Sequence, residues 1–395
     1  MRVLRRVGAD ELPLFAARVA ATFSGLRPSD EEIEARLQVW EPDRTLGAFE
    51  DGSLVATAAT IPLPLTLPGG RQVPAAGISR VTVLPTHRRR GLLTEMLRQQ
   101  VHEAREHGEP VAILFASEGA IYGRFGFGVA TLQADLRVAH GRSAFRERVD
   151  VSSLRLVERR QVAERLQRIA ARVAAVQPGA VERSSAWWRW VAEAPSQGGS
   201  PETEVVVRDE EDGFVAYQRR IEPHAWTGSL DVTLLLALSS AAYAELWRYC
   251  LDVDLIDDVL APRRSADETL RFLLADPRAM ECSLGDGLWL RLIDAEAALN
   301  ARTYADDGRI VIGVGDTFCP WNTGTYAIEG GRCRRTDADP SLVMPADALG
   351  ACYLGGIRFS TLVRAGVVTE RRPGAAERAD GLFRSAEVPW CPFHF

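Results

Sequence analysis

Between Val3 and about Arg137 the apolar positions follow two spacings that succeed one another. Runs near Thr45 to Phe49, Leu54 to Leu67 and Ile78 to Val83 have the length of strands, and Asp51-Gly52 and Gly69-Gly70 sit between them as hairpin turns require. Asp10 to about Phe23 and Leu92 to His107 read as helices. In the second of these Leu93, Met96, Leu97, Val101 and Ala104 share one face, and Gly108 ends the run. Val111 to Ala116 is continuously apolar, the pattern of a strand covered on both faces. These elements predict a mixed α/β unit over residues 1–150.

The next stretch, 151–280, opens with helical segments around Gln161 to Ala175 and the aromatic run Trp187-Trp188-Arg189-Trp190. A hairpin follows, Glu204 to Arg208 and Phe214 to Arg219, and then a strand, Val232 to Leu238, leading into a helix at about Ala241 to Cys250. This strand-turn-helix matches Ile78 to Gln100 in order and approximate length. The remainder, 281–395, shows strands at Leu288 to Leu292, Ile310 to Val314 and Gly324 to Ile328. Helices are predicted at Ala295 to Arg302, Ala346 to Leu354 and Phe359 to Ala365, and the chain closes on the apolar tail Trp390-Cys391-Pro392-Phe393-His394-Phe395.

A length of 395 residues with 46% apolar content fits two or three globular domains. No apolar run approaches the roughly 20 residues that span a bilayer, and Met1 to Arg6 leads into no signal-type apolar core, so a cytoplasmic protein is expected. The six cysteines show no CxxC pair and no histidine at ligand spacing; buried free thiols and no metal are expected. Asp252, Asp254, Asp257 and Asp258 lack the spacing and glycine of a calcium loop. A net charge of −6 argues against nucleic acid as a partner. No lysine occurs, so arginine supplies every basic side chain, and Arg88-Arg89-Arg90 is a short basic cluster suited to a small anionic group.

That cluster belongs to the sharpest local signal, Val81-Thr82-Val83-Leu84-Pro85-Thr86-His87-Arg88-Arg89-Arg90-Gly91-Leu92-Leu93. A strand ends at a proline, and an Arg-x-x-Gly turn enters a helix. Such a turn aims free backbone N–H groups and the positive helix end at one point, while glycine allows close approach, which suits a pyrophosphate. The second copy has Ser239-Ser240-Ala241-Ala242 at this place and lacks the arginines.

The turn resembles the cofactor motif of the GNAT acetyltransferase superfamily, except that Leu93 stands where a second small residue is usual. Together, Ile78 to Val83, Arg88 to Thr94, Ala116-Ser117-Glu118, Ile121 to Phe127, Trp187 to Trp190, Gly287 to Leu292 and Tyr353 to Gly356 resemble the enhanced-intracellular-survival family of N-acetyltransferases over essentially the whole chain. The resemblance implies an α/β (α+β) architecture of tandem GNAT folds followed by a sterol-carrier-protein-like domain. Only the first fold, residues 1–150, would bind acetyl-CoA; 151–280 would be a degenerate copy, and 281–395 would supply the chain end.

It further implies that Val81, Thr82 and Val83 run beside the pantetheine arm, with Arg88, Arg89, Arg90, Gly91, Leu92, Leu93 and Thr94 at the pyrophosphate and Ser117 and Glu118 completing the site. Tyr122 is implied as general acid and the terminal carboxylate of Phe395 as general base. Read without the resemblance, Tyr122 is also a plausible packing aromatic, the tail could simply pack on its own domain, and His394 is a rival base. Phe23 and Trp40 are candidate pocket residues. The implied acceptors are small cationic amines of aminoglycoside type, or lysine-containing peptides, and the implied assembly is a homohexamer. A hydrophobic-ligand carrier and an acetyl-CoA-binding regulator without transfer activity are the alternatives.

Overall fold

The computed structural model describes residues 2–23, 29, 33–34, 42–158, 162–193, 202–221 and 227–395, arranged around three sheets. Trp40 lies outside the described residues.

The first sheet has the order β1-β2-β3-β4-β5-β14-β6, formed by Arg2–Arg6, Thr45–Glu50, Ser53–Thr66, Gln72–Val83, Val111–Phe115, Leu288–Leu292 and Gly128–Val129. The second runs β13-β7-β12-β11-β10-β9-β8, from Met280–Asp286, Leu132–Ala139, Ile256–Ser265, Gly228–Ala237, Gly213–Ile221, Thr203–Arg208 and Leu154–Val157. The third is β17-β16-β15-β18-β19, from Arg332–Arg335, Gly324–Glu329, Ile310–Gly315, Leu342–Pro345 and Thr369–Glu370.

Most predicted elements appear within a few residues of their expected limits, among them the helices Leu12–Phe23, Leu92–Glu106, Ser240–Asp252 and Ala295–Ala301. The sheets do not follow the divisions at 150 and 280. Leu288–Leu292 stands in the first sheet, antiparallel to β5, and Leu132–Ala139 stands in the second, between β12 and β13. The exchange has a chemical basis. Val111–Phe115 and Leu288–Leu292 are both almost wholly buried and mainly apolar, with Arg291 the one charged residue, so each satisfies the other's edge within the molecule. Thr131 fixes the crossover, its Oγ1 accepting from Leu288 N at 2.8 Å. The Ala346–Cys352 helix packs on β14 and β6, and Gly128 leaves no room for a side chain against the Asp347 carbonyl.

All six cysteines are unpaired; five are buried as expected, whereas Cys282 on edge strand β13 is exposed. No helix among the described residues is long and apolar enough to cross a membrane.

Candidate functional site

β4 and β5 run parallel and pair only through Ala75, Ala76 and Gly77, opposite Val111, Ala112 and Ile113. Beyond Gly77 the two strands part, so the last part of β4 stays paired with β3 on one side and has no further pairing with β5 on the other. A bulge lies in the same segment: register slips between Thr57 and Ala59, and Arg80 takes a left-handed φ of 53°. The buried Thr57 hydroxyl ties the bulge down, donating to the Arg80 carbonyl at 2.8 Å.

The opening continues into a cleft of about 860 Å³. Val81, Thr82 and Val83 line one wall; Arg88, Arg89 and Gly91 to Thr94 form its floor; Ser117, Glu118 and Tyr122 face them from the loop after β5. The helix Leu92–Glu106 begins at Gly91, whose φ of 85° is left-handed, and has no side-chain N-cap. Its first backbone N–H groups are therefore free to meet an anion. Glu50 sorts the basic side chains around the turn. It takes His87 Nε2 at 2.7 Å and Arg90 Nη1 at 3.4 Å, while Arg88 and Arg89 have no side-chain partner among the described residues. Of the residues expected in the cofactor site, Arg90 alone does not line the cleft. The donor set that remains, two guanidiniums and an uncapped helix end, fits a pyrophosphate.

Tyr122 is only 6% exposed, and its ring packs edge-on to Phe127. Burial, with Glu118 adding negative charge, raises the pKa of its phenol, so the hydroxyl holds its proton at neutral pH. It has no hydrogen-bond partner among the described residues. Phe23 lines the cleft with Thr22.

Further lining residues were not assigned to the site from the sequence, although Ile121 and Arg124 fall within the Ile121 to Phe127 motif. Ile121 and Arg124 flank Tyr122, and Phe318 enters from the third sheet's domain, edge-on to Phe125 at 5.1 Å. A buried ion pair braces this wall: Arg291 of β14 contacts Asp316 at 2.5 Å and donates to the Phe125 carbonyl, while Asp316 Oδ1 accepts from Cys319 N at 2.8 Å.

The chain end arrives at the same opening. Gln177 Nε2 donates to the Val388 carbonyl and Trp390 N to that of Pro178, at 2.9 and 2.8 Å; Trp390 Nε1 donates to the Arg263 carbonyl at 2.9 Å. Phe393 is wedged against Trp187 and Trp188, with ring centroids 5.7 Å away in both cases. His394 stacks on Phe115 at 4.3 Å, and the Phe395 ring lies 5.3 Å from the same residue and 3.2 Å from where a side chain on Gly77 would begin. Phe395 thus docks where β4 and β5 separate, two residues of β5 and loop away from Ser117, without itself lining the large cleft. His394 borders a smaller hollow of about 430 Å³ with Phe115, Ala116, Gln133, Arg263, Asp286 and Gly287.

Burial, reinforced by Arg263 and Arg183, lowers the His394 pKa to about 4. The folded chain resists a proton that the unfolded chain accepts near pH 6.5, so this residue's contribution to stability is full at neutral pH and lost as pH falls through that range toward 4. Between pH 7 and 5, denaturant titration is expected to show a larger loss of stability for the wild type than for His394→Phe. Equal losses would show that His394 titrates normally.

The second unit repeats this architecture with its opening closed. β11 and β12 pair in parallel only as far as Asp231 and Leu260, and the buried Arg264 reaches across the gap, Nη1 donating to the Leu235 carbonyl at 2.7 Å. The Trp390 ring lies 5.0 Å from that guanidinium. The following helix is capped by Ser239, whose Oγ accepts from Ala242 N at 3.1 Å and donates to Asp212 at 2.6 Å. This helix end is thus already capped by a side chain, unlike the helix after Gly91.

Comparison with known proteins identifies three domain types along the chain. Models of GNAT acetyltransferase domains match residues 3–130 and 179–292, and a sterol carrier protein domain model matches 295–392. An uncharacterized N-acetyltransferase of Streptomyces avermitilis is 38% identical over 409 residues, covering 100% of this chain and 99% of that protein. N-acetyltransferase Eis of Mycobacterium tuberculosis is 33% identical over 364 residues, covering 87% and 86%. The crystal structure of Eis1 from Mycobacterium abscessus superposes with a TM-score of 0.89 at 35% identity over 100% of both chains. A chain with two GNAT folds, one open and one plugged, a sterol-carrier-type third domain and these relatives belongs to the Eis family of GNAT N-acetyltransferases.

Proposed function

We propose that the chain transfers the acetyl group of acetyl-CoA to an amine in the cleft of its first unit, with Tyr122 as general acid and the Phe395 carboxylate as general base. One observation carries the reading. The uncapped arginine turn and the proton-bearing Tyr122 hydroxyl share one cleft, and the chain end docks at the strand opening beside it.

Arg88, Arg89 and the N–H groups from Gly91 to Thr94 would hold the pyrophosphate, and the main chain of Val81 to Val83 would guide the pantetheine arm. Acetyl-CoA supplies the activated thioester. The acceptor amine must reach it without its extra proton, which the Phe395 carboxylate accepts directly or through water; Tyr122 Oη holds the proton that the leaving sulfur needs. Arg90 supports the turn from outside through Glu50.

Small polycationic amines of aminoglycoside type, or lysine side chains of peptides, are the acceptors this reading names, with assembly as a homohexamer. Release of free thiol from acetyl-CoA, measured against aminoglycosides, polyamines and lysine peptides, tests it. Turnover with at least one amine is expected, and none with any amine would overturn the proposal.

The plugged second unit predicts a single cofactor site. Calorimetry should give one acetyl-CoA per chain, and Arg89→Ala should weaken it by roughly 1.5–3 kcal/mol through loss of a charge-assisted contact. Two equal sites, or undiminished affinity in the variant, would place the cofactor elsewhere.

A further inference from the structure

The third domain carries its own arginine turn. Arg371-Arg372-Pro373-Gly374 leads into the Ala375–Phe383 helix as Arg88-Arg89-Arg90-Gly91 leads into Leu92–Glu106. Gly374, with φ 79° and ψ 4°, repeats the left-handed backbone of Gly91, and neither helix has a side-chain N-cap. One difference separates them: Ala376 N donates to Glu370 Oε1 at 2.9 Å, so this helix end already meets a carboxylate. A further anion here has to be held by side chains.

Those side chains surround a hollow of about 320 Å³, lined by Arg309, Arg372 and Arg378 with Asp339 and Ser341. Three guanidiniums against one carboxylate make it a positive pocket in a chain of net charge −6. Arg309 approaches only Glu329, at 3.8 Å with both side chains more than half exposed, a pairing of little strength in water. Arg372 and Arg378 have no side-chain partner among the described residues.

Ser341 is the more telling member. It is 8% exposed, its N–H donates to the Val311 carbonyl, and its own carbonyl accepts from Arg371 and Arg372. Its hydroxyl, at the wall of the hollow, has no partner among the described residues. The hydroxyl opens onto the hollow rather than being enclosed in the core, so it is free to donate to a ligand there. A hydroxyl donor flanked by arginine forks is a donor set for a tetrahedral oxyanion.

From this arrangement we infer that the third domain binds a phosphate group through Arg309, Arg372, Arg378 and Ser341, at a site separate from the cleft of the first unit. The phosphate is carried by a soluble molecule or by a lipid headgroup, and the chemistry of capture is the same for both. The inference does not depend on the proposed acetyl transfer.

Full-length protein saturated with coenzyme A is titrated with inorganic phosphate by calorimetry, and is sedimented with phosphatidylcholine vesicles with and without phosphatidic acid. Binding in at least one arm is expected, falling with added salt and weakening about tenfold or more in the Arg372→Ala, Arg378→Ala double variant. Phosphate uptake identifies a soluble source; retention only on phosphatidic acid vesicles identifies a lipid. Both arginines are exposed, so the double variant should fold, and its unchanged acetyl-CoA affinity checks this. No binding in either arm, or binding that the double variant keeps, overturns the inference. So does phosphate binding that disappears in Arg89→Ala, which would belong to the turn of the first unit.

Discussion

Tyr122→Phe is expected to lower turnover about a hundredfold while acetyl-CoA affinity stays nearly unchanged. Removing the hydroxyl deletes the proton donor and little else. The ring keeps its place against Phe127, the loop keeps its brace through Arg291 and the Phe125 carbonyl, and the arginine turn is a separate segment of the cleft lining. A phenol and a thiol are acids of comparable strength, and burial, which raises the phenol pKa, keeps the proton on Tyr122 until the sulfur leaves. Steady-state kinetics with one acceptor, paired with calorimetry on the same preparation, checks both halves. Unaltered turnover would return Tyr122 to a packing role.

Two residues added after Phe395 should abolish most transfer and leave acetyl-CoA binding intact. The added peptide moves the terminal carboxylate, whereas the contacts that hold the tail, Trp390 to Pro178 and Arg263 and Phe393 between Trp187 and Trp188, lie upstream and survive. His394→Ala at native length should keep much of the activity, because the terminal carboxylate, to which the proposal assigns the proton, is still present. Full activity of the extended chain would refute the carboxylate role, and collapse of the His394→Ala enzyme would transfer that role to the imidazole.

The sequence revealed the arginine turn because everything that defines it is local. Strand, proline, arginines, glycine and amphipathic helix follow one another within about two dozen positions, and each obeys a short-range rule. The absence of the arginines from the second copy was visible for the same reason, in Ser239 and Ser240. What closes that copy was not visible, since Arg264 meets Leu235 and Trp390 only after folding. The exchange of Leu132–Ala139 and Leu288–Leu292 between sheets was hidden too. Leu132–Ala139 alternates polar and apolar residues and Leu288–Leu292 is largely apolar, and spacing says nothing about which distant edge a strand will join. Phe318 illustrates the limit within the site: an aromatic in a loop of the third domain becomes part of the cleft wall through the Arg291–Asp316 pair. Tyr122 and Phe395 owe their proposed roles to the family resemblance, and burial and docking are what the fold adds to it.

The strand exchange sets a timetable for biosynthesis. β5 cannot obtain its neighbour β14 until the ribosome has travelled well past the second unit; Thr131 and Leu288, which join at the crossover, are 157 residues apart. At roughly 5–20 residues per second that interval is about 8–30 s. Throughout it the nascent chain presents an apolar strand, Val111–Phe115, with an open edge. The first unit is therefore still incomplete when it leaves the ribosome, and its sheet closes only once the strand from beyond the second unit has been made.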